Sequence, residues 1–495
     1  AQRSQNFNSN WKFYFGDAGN AQGATFDDSK WEQVSLPHDY SISQEYSKSM
    51  EAESAYLGGG TGWYRKHFIV SEDMKGKELR IDFGGVYMNA TVWVNGEKLG
   101  THPYGYTPFS FDITDLVEYG KENVITVKVD HKTPSSRWYS GSGIYRSVNL
   151  SVMDKVHVDL YGTKIETPDL KEHVDGNNVA VKVKTTVVNE SERDASVKVK
   201  HTIYPKNGTA EQAVATFESQ EAVAVEKGKS KDVSADFTAS GVQLWSTTTP
   251  NLYTVKTEVL MDGATVDTYE TDYGFRYFAF DKNNGFTLNG QKMKLQGVCM
   301  HHDQGALGSV ANDRSTERQV EILKMMGCNS IRVTHNPASD ELIDACNKHG
   351  ILVIDEAFDG WVAPKNGNSN DCAKWFNKEI ESDNEIMGAA DNMTWAQFDL
   401  TAMIERGQND PAIIMWSLGN ESGFGDNHKA MSDWVRQQRD GRLIHCEDAS
   451  RKSVDYNHPE LTAYTDVFSW MYPLHSAVKA YAEDKEKKQP YFMCE

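Results

Sequence analysis

Short apolar and β-branched runs alternate with turn residues over the first part of the chain. Such runs occur at ELRIDF (78–83), ATVWV (90–94) and NVITVKV (123–129). An Asn95-Gly96 pair follows the second run, and this dipeptide is typical of a tight β-hairpin. The pattern predicts an all-β domain over residues 1–152.

From residue 153 to 273 the pattern becomes a longer alternation with a period of two. Val179, Val181 and Val183 are separated by polar residues, and Tyr253 and Val255 begin a similar run. Such alternation indicates strands with one buried face and one face in water. We therefore expect a second, smaller antiparallel sandwich, of the immunoglobulin-like kind.

From residue 274 to 495 helices alternate with apolar strands. Thr316, with Gln319 three positions later, predicts a capping box at a helix start. Ser339 and Gly350 predict the N-cap and the C-terminal stop of the next helix.

Seven apolar strands are predicted in this last part, and each runs into polar residues at its carboxyl end. They are KLQGVCMH (294–301), NSIRVTH (329–335), ILVIDEA (351–357), AIIMWSLGNE (412–421), RLIHCED (442–448), VFSWMY (467–472) and YFMCE (491–495). Near-continuous apolar strands between helices predict a parallel sheet covered on both faces, and seven of them fit a (β/α)8 TIM barrel. A doubly wound open sheet is the alternative, but GVCMHHD is not the Gly-rich turn that such a sheet uses to bind a nucleotide. Because one barrel strand is missing, we expect the sequence to be a piece of a longer protein.

The net charge of the chain makes some classes of binding partner unexpected. Basic residues number 51 and acidic residues 71, so the net charge is −20 and neither nucleic acid nor an anionic membrane is an expected partner. No apolar run is long enough to span a bilayer. The Ala-Gln start fits an exported, periplasmic or extracellular protein without its leader, and a cut edge equally well. Localisation therefore stays open, as does a homo-oligomeric state.

The polar residues at the predicted strand ends are the candidates for chemistry. In a barrel they converge on one pocket at the carboxyl ends of the strands. One strand-end glutamate is more often a salt-bridge partner, but paired carboxyls that flank one substrate are typical of glycoside hydrolysis. The candidates are His301, His335, Asp355, Glu356, Asn420, Glu421, Glu447, Asp448, Tyr472 and Glu495.

Several motifs along the whole chain resemble those of glycoside hydrolase family 2, the β-galactosidase and β-glucuronidase family. In the last part they are GVCMHHD (297–303), NSIRVTHNP (329–337), GILVIDEA (350–357), WSLGNES (416–422), WMYP (470–473) and the final FMCE. In the first two parts they are SLPHDY (35–40), GWYRKHF (62–68), VWVNGEKLG (92–100), GSGIYR (141–146) and LWSTTTPNLY (244–253). The resemblance implies a jelly-roll-like sandwich, an immunoglobulin-like sandwich and a catalytic TIM barrel over residues 274–495.

The resemblance also implies a role for each candidate of the site. Glu421 would be the general acid/base and Glu495 the nucleophile of a retaining reaction, with the two carboxyls about 5–5.5 Å apart. Arg332 and Tyr472 would donate hydrogen bonds to Glu495. The remaining candidates would hold the sugar: Asn420 at its 2-hydroxyl, His301 and His335 at other hydroxyls, and Trp470 by stacking on a sugar face, although core filling is an equal alternative for Trp470.

One departure from the family concerns metal ions. The best-known β-galactosidases carry a Glu-x-His pair that holds magnesium, and DEAFDGW (355–361) lacks it. We therefore expect no metal and no cofactor.

The hypothesis from the sequence is a retaining exo-β-glycosidase that acts on a terminal β-galactoside. A β-glucuronidase of the same family and a non-catalytic carbohydrate-binding fragment are the alternatives.

Overall fold

The fold was analysed in a computed structural model of the chain. It describes residues 3–43, 59–133, 135, 140–301, 311, 313–334, 336–357, 374–418, 433 and 442–445, together with the strand segments 468–470 and 491–493. None of the helices within these ranges is long and apolar enough to cross a membrane.

Ten strands build the N-terminal sandwich. They are β1 (Ser4–Asn6), β2 (Trp11–Phe15), β3 (Glu32–Val34), β4 (Gly60–Ile69), β5 (Glu78–Phe83), β6 (Ala90–Val94), β7 (Glu97–His102), β8 (Phe109–Asp112), β9 (Glu122–His131) and β10 (Val148–Met153). Their antiparallel sheets have the orders β1-β10-β5-β8 and β3-β2-β4-β9-β6-β7. The predicted hairpin is confirmed, because Asn95 and Gly96 link β6 to β7 with φ angles of 49° and 83°. Both angles are those of a type I′ turn.

Eight strands build the second sandwich. They are β11 (Val156–Glu166), β12 (Val179–Asn189), β13 (Ala195–Pro205), β14 (Ala215–Glu218), β15 (Val223–Val225), β16 (Ser230–Ala239), β17 (Tyr253–Met261) and β18 (Ala264–Tyr273). One sheet has the order β11-β12-β16, and the other runs β14-β13-β17-β18 with β15 beside β13. Val179, Val181 and Val183 are all buried, as their alternation predicted. They belong to a core of this sandwich that also includes Phe275, two positions after the end of β18.

Among the described residues, the last part combines a small antiparallel sheet with parallel barrel strands and three helices. The sheet is β19 (Phe278–Asp281), β20 (Gly285–Leu288) and β21 (Gln291–Lys292). The parallel strands are β22 (Gly297–Met300), β23 (Ser330–Val333), β24 (Leu352–Glu356), β25 (Ile413–Ser417), β26 (Leu443–His445), β27 (Phe468–Trp470) and β28 (Tyr491–Met493). The helices are α1 (Asp313–Met325), α2 (Asp340–His349) and α3 (Trp395–Gly407).

The parallel strands follow one another in chain order, as in a barrel. Strands β22 to β26 pair in sequence, and β27 pairs in parallel with β28. All seven predicted strand positions are occupied by strands. Together with the two sandwiches, this confirms the predicted combination of a jelly-roll-like, an immunoglobulin-like and an incomplete TIM-barrel part.

Local capping signals explain where two of the helices begin. Ser339 caps α2 by accepting from the Leu342 backbone N–H, and Gly350 ends the helix with a φ of 77°, both as predicted. The predicted start at Thr316 is wrong, because α1 already begins at Asp313 and Thr316 is a buried residue within the helix. A reciprocal capping box does occur in this part of the chain, at Thr394 before α3.

The N-terminal sandwich and the barrel share one hydrophobic core. The central contact is His102 at the end of β7, whose ring packs against Trp395 and Phe398 of α3. His102 Nε2 lies 2.7 Å from Asp399 Oδ1, and the Thr107 hydroxyl donates to the same oxygen at 2.6 Å. Because the side chains of His102 and Asp399 are fully buried, this polar contact fixes one position of the sandwich on the barrel.

The second sandwich contacts the barrel through a bulge in β11. Tyr161 at the bulge has a φ of 55°, which is rare for an aromatic residue. The Gln408 side chain donates to the Tyr161 carbonyl at 2.8 Å, and the Asn409 side chain donates to the Thr163 carbonyl at 2.6 Å. Gln408 and Asn409, which follow α3, therefore hydrogen-bond to the backbone of the bulged strand.

A wide cleft of about 1510 Å³ opens where the three parts meet. Glu341 of α2 lines this junction cleft and accepts a hydrogen bond from the Ser147 hydroxyl at 3.2 Å. Burial, and then the neighbouring Asp340 carboxylate, raise the pKa of Glu341 to about 7. The junction cleft therefore contains a carboxyl group that takes up a proton close to neutral pH.

Replacing Asp399 with Ala should weaken the contact between the sandwich and the barrel. His102 and Thr107 would lose their buried acceptor, so we expect a loss of about 3 kcal/mol in the free energy of unfolding, measured with urea. The exposed Asp391→Ala is the matched control. A variant at Asp399 as stable as the control would contradict the assigned role.

Replacing Glu341 with Gln should change how stability depends on pH. The folded state holds a proton on Glu341 up to about pH 7, and the unfolded state only to about pH 4.3. This group therefore lowers stability as the pH rises from about 4 to about 7, between the unfolded and the folded pKa.

Gln cannot ionise, so Glu341→Gln should be more stable than the parent at pH 8, by about 1–3 kcal/mol after allowance for solvent screening, and show no such gain at pH 4. Urea unfolding at the two pH values measures this, with the exposed Glu172→Gln as control. Parallel pH profiles of parent and variant would refute it.

Candidate active site at the carboxyl edge of the barrel strands

The structure describes only part of the predicted site. His301 and Arg332 lie within the described residues, and for Trp470 only its position at the end of β27 is described. The other predicted site residues lie outside the described ranges: His335, Asn420, Glu421, Glu447, Asp448, Tyr472 and Glu495. The pairing of Glu421 with Glu495 therefore stays a prediction.

His301 directly follows β22 and is half-buried. Next to it, the Thr334 backbone N–H donates to the Met300 carbonyl at 2.9 Å. This bond holds the ends of β22 and β23 together, so His301 lies at the carboxyl edge that the sequence predicts for it.

Arg332 belongs to a buried polar network across three neighbouring strands. Its Nε and Nη2 atoms donate to Glu356 Oε2 at 2.9 and 2.7 Å. The Ser417 hydroxyl donates to the same oxygen at 2.8 Å. The strands β23, β24 and β25 thus converge on one carboxylate, which the sequence placed at the site without giving it a role.

The predicted donation from Arg332 to Glu495 is untested, because Glu495 lies outside the described residues. Within them, the guanidinium binds Glu356. Residue exposures of 5% for Arg332 and 0% for Glu356 show that both charges lie away from water. A pair of this kind is kept in place because either charge alone would be costly to bury.

Asp355, the neighbour of Glu356, faces the opposite side of β24. Its Oδ1 accepts from the Ala338 backbone N–H at 2.9 Å, and its Oδ2 from Arg406 of α3 at 3.3 Å. Burial raises the pKa of Asp355, and the Arg406 guanidinium opposes that shift. Because side chains alternate along a strand, Asp355 faces the helices, whereas Glu356 lies on the opposite face of β24 and binds Arg332.

The N-terminal sandwich reaches this edge through Tyr104. Its hydroxyl donates to the Asn336 side chain and to the Ala357 carbonyl, the latter at 3.0 Å. Asn336 lies after β23 and Ala357 directly after β24. Nothing in the local sequence singles out Tyr104, because its partners are more than 200 positions away.

Two groups of described residues have the composition of a metal site, and neither belongs to this edge. Glu317, Glu321 and His349 lie on α1 and α2. The second group is Glu78, Asp112 and Glu190. The expectation of a site without metal or cofactor stays a prediction.

Family models match nearly the whole chain. The model described as "Glycosyl hydrolases family 2, sugar binding domain" matches residues 5–153, and "Glycosyl hydrolases family 2" matches residues 163–276. "Glycosyl hydrolases family 2, TIM barrel domain" matches residues 281–495.

Individual proteins agree with the family models. Beta-galactosidase BoGH2A of Bacteroides ovatus is 41% identical over 418 residues, which cover 84% of this chain and 46% of BoGH2A. A family 2 member from Bacteroides cellulosilyticus superposes with a TM-score of 0.88 at 34% identity, over 100% of this chain and 61% of that structure. A Bacteroides uniformis beta-glucuronidase superposes with a TM-score of 0.76 at 26% identity, over 94% of this chain and 55% of that structure.

The chain spans about half the length of the curated relatives it matches. Over that half, the match extends through both sandwiches and the barrel strands. Relatives that share this arrangement carry the names of β-galactosidases and β-glucuronidases. On these matches, the chain belongs to glycosyl hydrolase family 2.

Proposed function

We propose that the protein containing this chain is a retaining exo-β-glycosidase that releases terminal β-galactosyl residues. The observation that carries the proposal is the buried network of Arg332, Glu356 and Ser417 at the carboxyl edge of the barrel strands. Glu421 follows Ser417 by four positions, and Glu495 follows the end of β28 by two. The sequence thus assigns both candidate carboxylates to segments that leave this edge.

The proposed reaction is a double displacement. Glu421 protonates the leaving oxygen while Glu495 attacks the anomeric carbon, so the bond to the aglycone breaks and a glycosyl-enzyme forms. Water then attacks the same carbon, with Glu421 as the base, and releases the sugar with its original configuration. Arg332 would orient Glu495 and favour its ionised form.

The described network restricts the motion of the Arg332 side chain. A guanidinium is planar and keeps its charge at every accessible pH. Two bonds to one oxygen of Glu356 fix its plane, and Ser417 adds a third donor to that oxygen. We propose that Glu356 is a positioning residue, because it acts through Arg332.

Galactoside is proposed before glucuronide because the 41% identical relative is a beta-galactosidase. The match to a beta-glucuronidase structure keeps the second sugar as the alternative. The proposal includes no metal, no cofactor, and neither nucleic acid nor a membrane as partner. Export and homo-oligomerisation stay predictions.

Chromogenic β-galactoside, β-glucuronide and β-mannoside substrates, given to the full-length protein, test the proposed function. We expect turnover of the galactoside. Faster turnover of the glucuronide would select the alternative sugar, and no turnover of any of them would favour a carbohydrate-binding protein without catalysis.

Glu421→Gln and Glu495→Gln should fail in different ways. Loss of the acid should lower kcat by a factor of about 100 or more on poor leaving groups, and much less on activated aryl glycosides. Loss of the nucleophile should abolish turnover on both, and azide should restore activity to Glu495→Ala with inversion. Full activity of Glu421→Gln on a poor leaving group would refute the assignment of the acid.

Replacing Glu356 with Gln should lower kcat by a factor of about 100, because Arg332 would lose its counter-charge and its fixed orientation. Ser417→Ala removes one neutral donor from the same oxygen and is the matched control, with an expected loss of about tenfold or less. Steady-state kinetics on the galactoside measure both. Equal losses in the two variants would contradict the positioning role of Glu356.

A further inference from the structure

A second, smaller cleft lies between the N-terminal sandwich and the barrel, and it holds about 280 Å³. Asn89 and Lys132 line it from the sandwich, and Lys374, Trp375 and Lys378 from the barrel. We call it the rim cleft. Its volume is close to the lower end of the range for small-molecule sites, about 300 Å³.

The rim cleft is positively charged in a strongly acidic protein. Three lysines line it, with Glu381 as the acidic residue of the lining, whereas the chain as a whole carries −20. Asp130 lies 3.8 Å from the Lys132 ammonium, and with it the cations still exceed the anions by three to two. An anion therefore meets attraction at the rim cleft that the average surface of this chain does not offer.

Aromatic groups accompany the lysines. Trp375 is half-buried in the wall, and Trp395 behind it is 2% exposed. The Trp375 indole N–H is buried and has no acceptor among the described residues. The flat apolar face of an indole suits stacking on a sugar ring.

Backbone hydrogen bonds hold the barrel wall of the rim cleft in place. The Trp395 N–H donates to the Lys378 carbonyl at 3.1 Å, and the Ala396 N–H to the Phe376 carbonyl at 3.0 Å. Trp375 and Lys378 are therefore fixed to the first turn of α3. A wall built in this way loses little conformational entropy when a ligand binds.

The opposite wall is fixed in the same manner. The Asn89 backbone N–H donates to the Pro103 carbonyl, and its side chain donates to the Asp130 carbonyl, both at 3.1 Å. Lys132 follows Asp130 by two positions at the end of β9. Each wall of the rim cleft is thus held by hydrogen bonds within its own part of the chain.

The rim cleft lies beside the edge that carries the candidate active site. Phe376, next to Trp375, packs against the ring of Tyr104 with centroids 5.2 Å apart. The Tyr104 hydroxyl in turn bonds the Ala357 carbonyl at the end of β24. One aromatic pair therefore separates the rim cleft from the carboxyl ends of the barrel strands.

We propose that the rim cleft binds an acidic sugar residue, one that bears a sulfate ester or a uronate carboxylate, in the part of the substrate beyond the terminal sugar. This inference rests on the proposed function, since an exo-acting enzyme holds only the terminal sugar in the barrel. The rest of the chain then leaves across the rim. The substrate class is accordingly an acidic oligosaccharide with a neutral terminal sugar.

Kinetics of the full-length protein test the inference. The substrates are a neutral β-galactosyl disaccharide and two analogues whose reducing-end residue carries a sulfate ester or a carboxylate. We expect kcat/KM to be about tenfold higher for one of the acidic analogues than for the neutral disaccharide, mainly through KM, and to lose this advantage at high salt. The analogue with the greater advantage identifies the acidic group.

In the double variant Lys132→Gln, Lys378→Gln, the ratio of kcat/KM for the preferred acidic analogue to kcat/KM for the neutral disaccharide should fall close to one. The control is Lys171→Gln combined with Lys231→Gln, two exposed lysines of the second sandwich, and it should keep the tenfold ratio. The inference would be overturned by a ratio of one in the parent, or by a tenfold ratio that persists in the double variant of the cleft. Galactoside turnover would still support the proposed function in either case.

If the protein cleaves none of these glycosides, the proposed function fails, and calorimetry of the same disaccharides decides on the rim cleft. Tighter binding of an acidic disaccharide by the parent than by the cleft variant would then support an acidic-sugar site. Equal affinities would overturn it.

Discussion

The fully buried contact of His102 with Asp399 is the constraint on which the rest of the molecule depends. It places a hairpin of the first sandwich on a helix of the barrel, so that the two share one hydrophobic core. Tyr104, two positions after His102, bonds residues at the ends of two barrel strands. The carboxyl edge of the barrel is consequently built from two parts of the chain that lie far apart in the sequence.

The second sandwich is organised differently. Its valines pack in two cores of their own. It contacts the barrel through hydrogen bonds to the backbone of the β11 bulge and through Trp245, which belongs to the core of the barrel and donates from its indole N–H to the Asn347 carbonyl at 2.9 Å. A core shared across an interface ties two parts energetically, whereas a polar contact of few residues leaves each part its own stability. We therefore regard the first sandwich and the barrel as one unit for function, to which the second sandwich is attached through Trp245 and through hydrogen bonds to its backbone.

Local features of the fold were predictable from the sequence, because their causes are local. Asn95-Gly96 needs only its own backbone preference to make a turn, and the alternating valines of β12 need only the period of a strand. Ser339 and Gly350 likewise act within one helix. Thr316 failed as a cap because the same residue types also occur inside helices, where burial decides.

The site was less predictable, since its causes are distant. The sequence placed Glu356 at a strand end, but its partners Arg332 and Ser417 come from other strands, and the register between strands decided the contact. The roles of Asp399 and Tyr104 could not be predicted, because their hydrogen-bond partners belong to another domain. The lysines of the rim cleft are ordinary surface residues in the sequence and become a group only in space.

The adjacent carboxylates Asp355 and Glu356 have a consequence for how β24 can assemble. A slip of one residue along either neighbouring strand would turn the whole strand over, so that one acid takes the place of the other. Either Arg406 would then face Ile354 or Arg332 would face Ala357, and the displaced acid would be buried without a cation. Two ion pairs on opposite faces at consecutive residues thus disfavour mispairing of β24. Both pairs can form once three strands and one helix have come together.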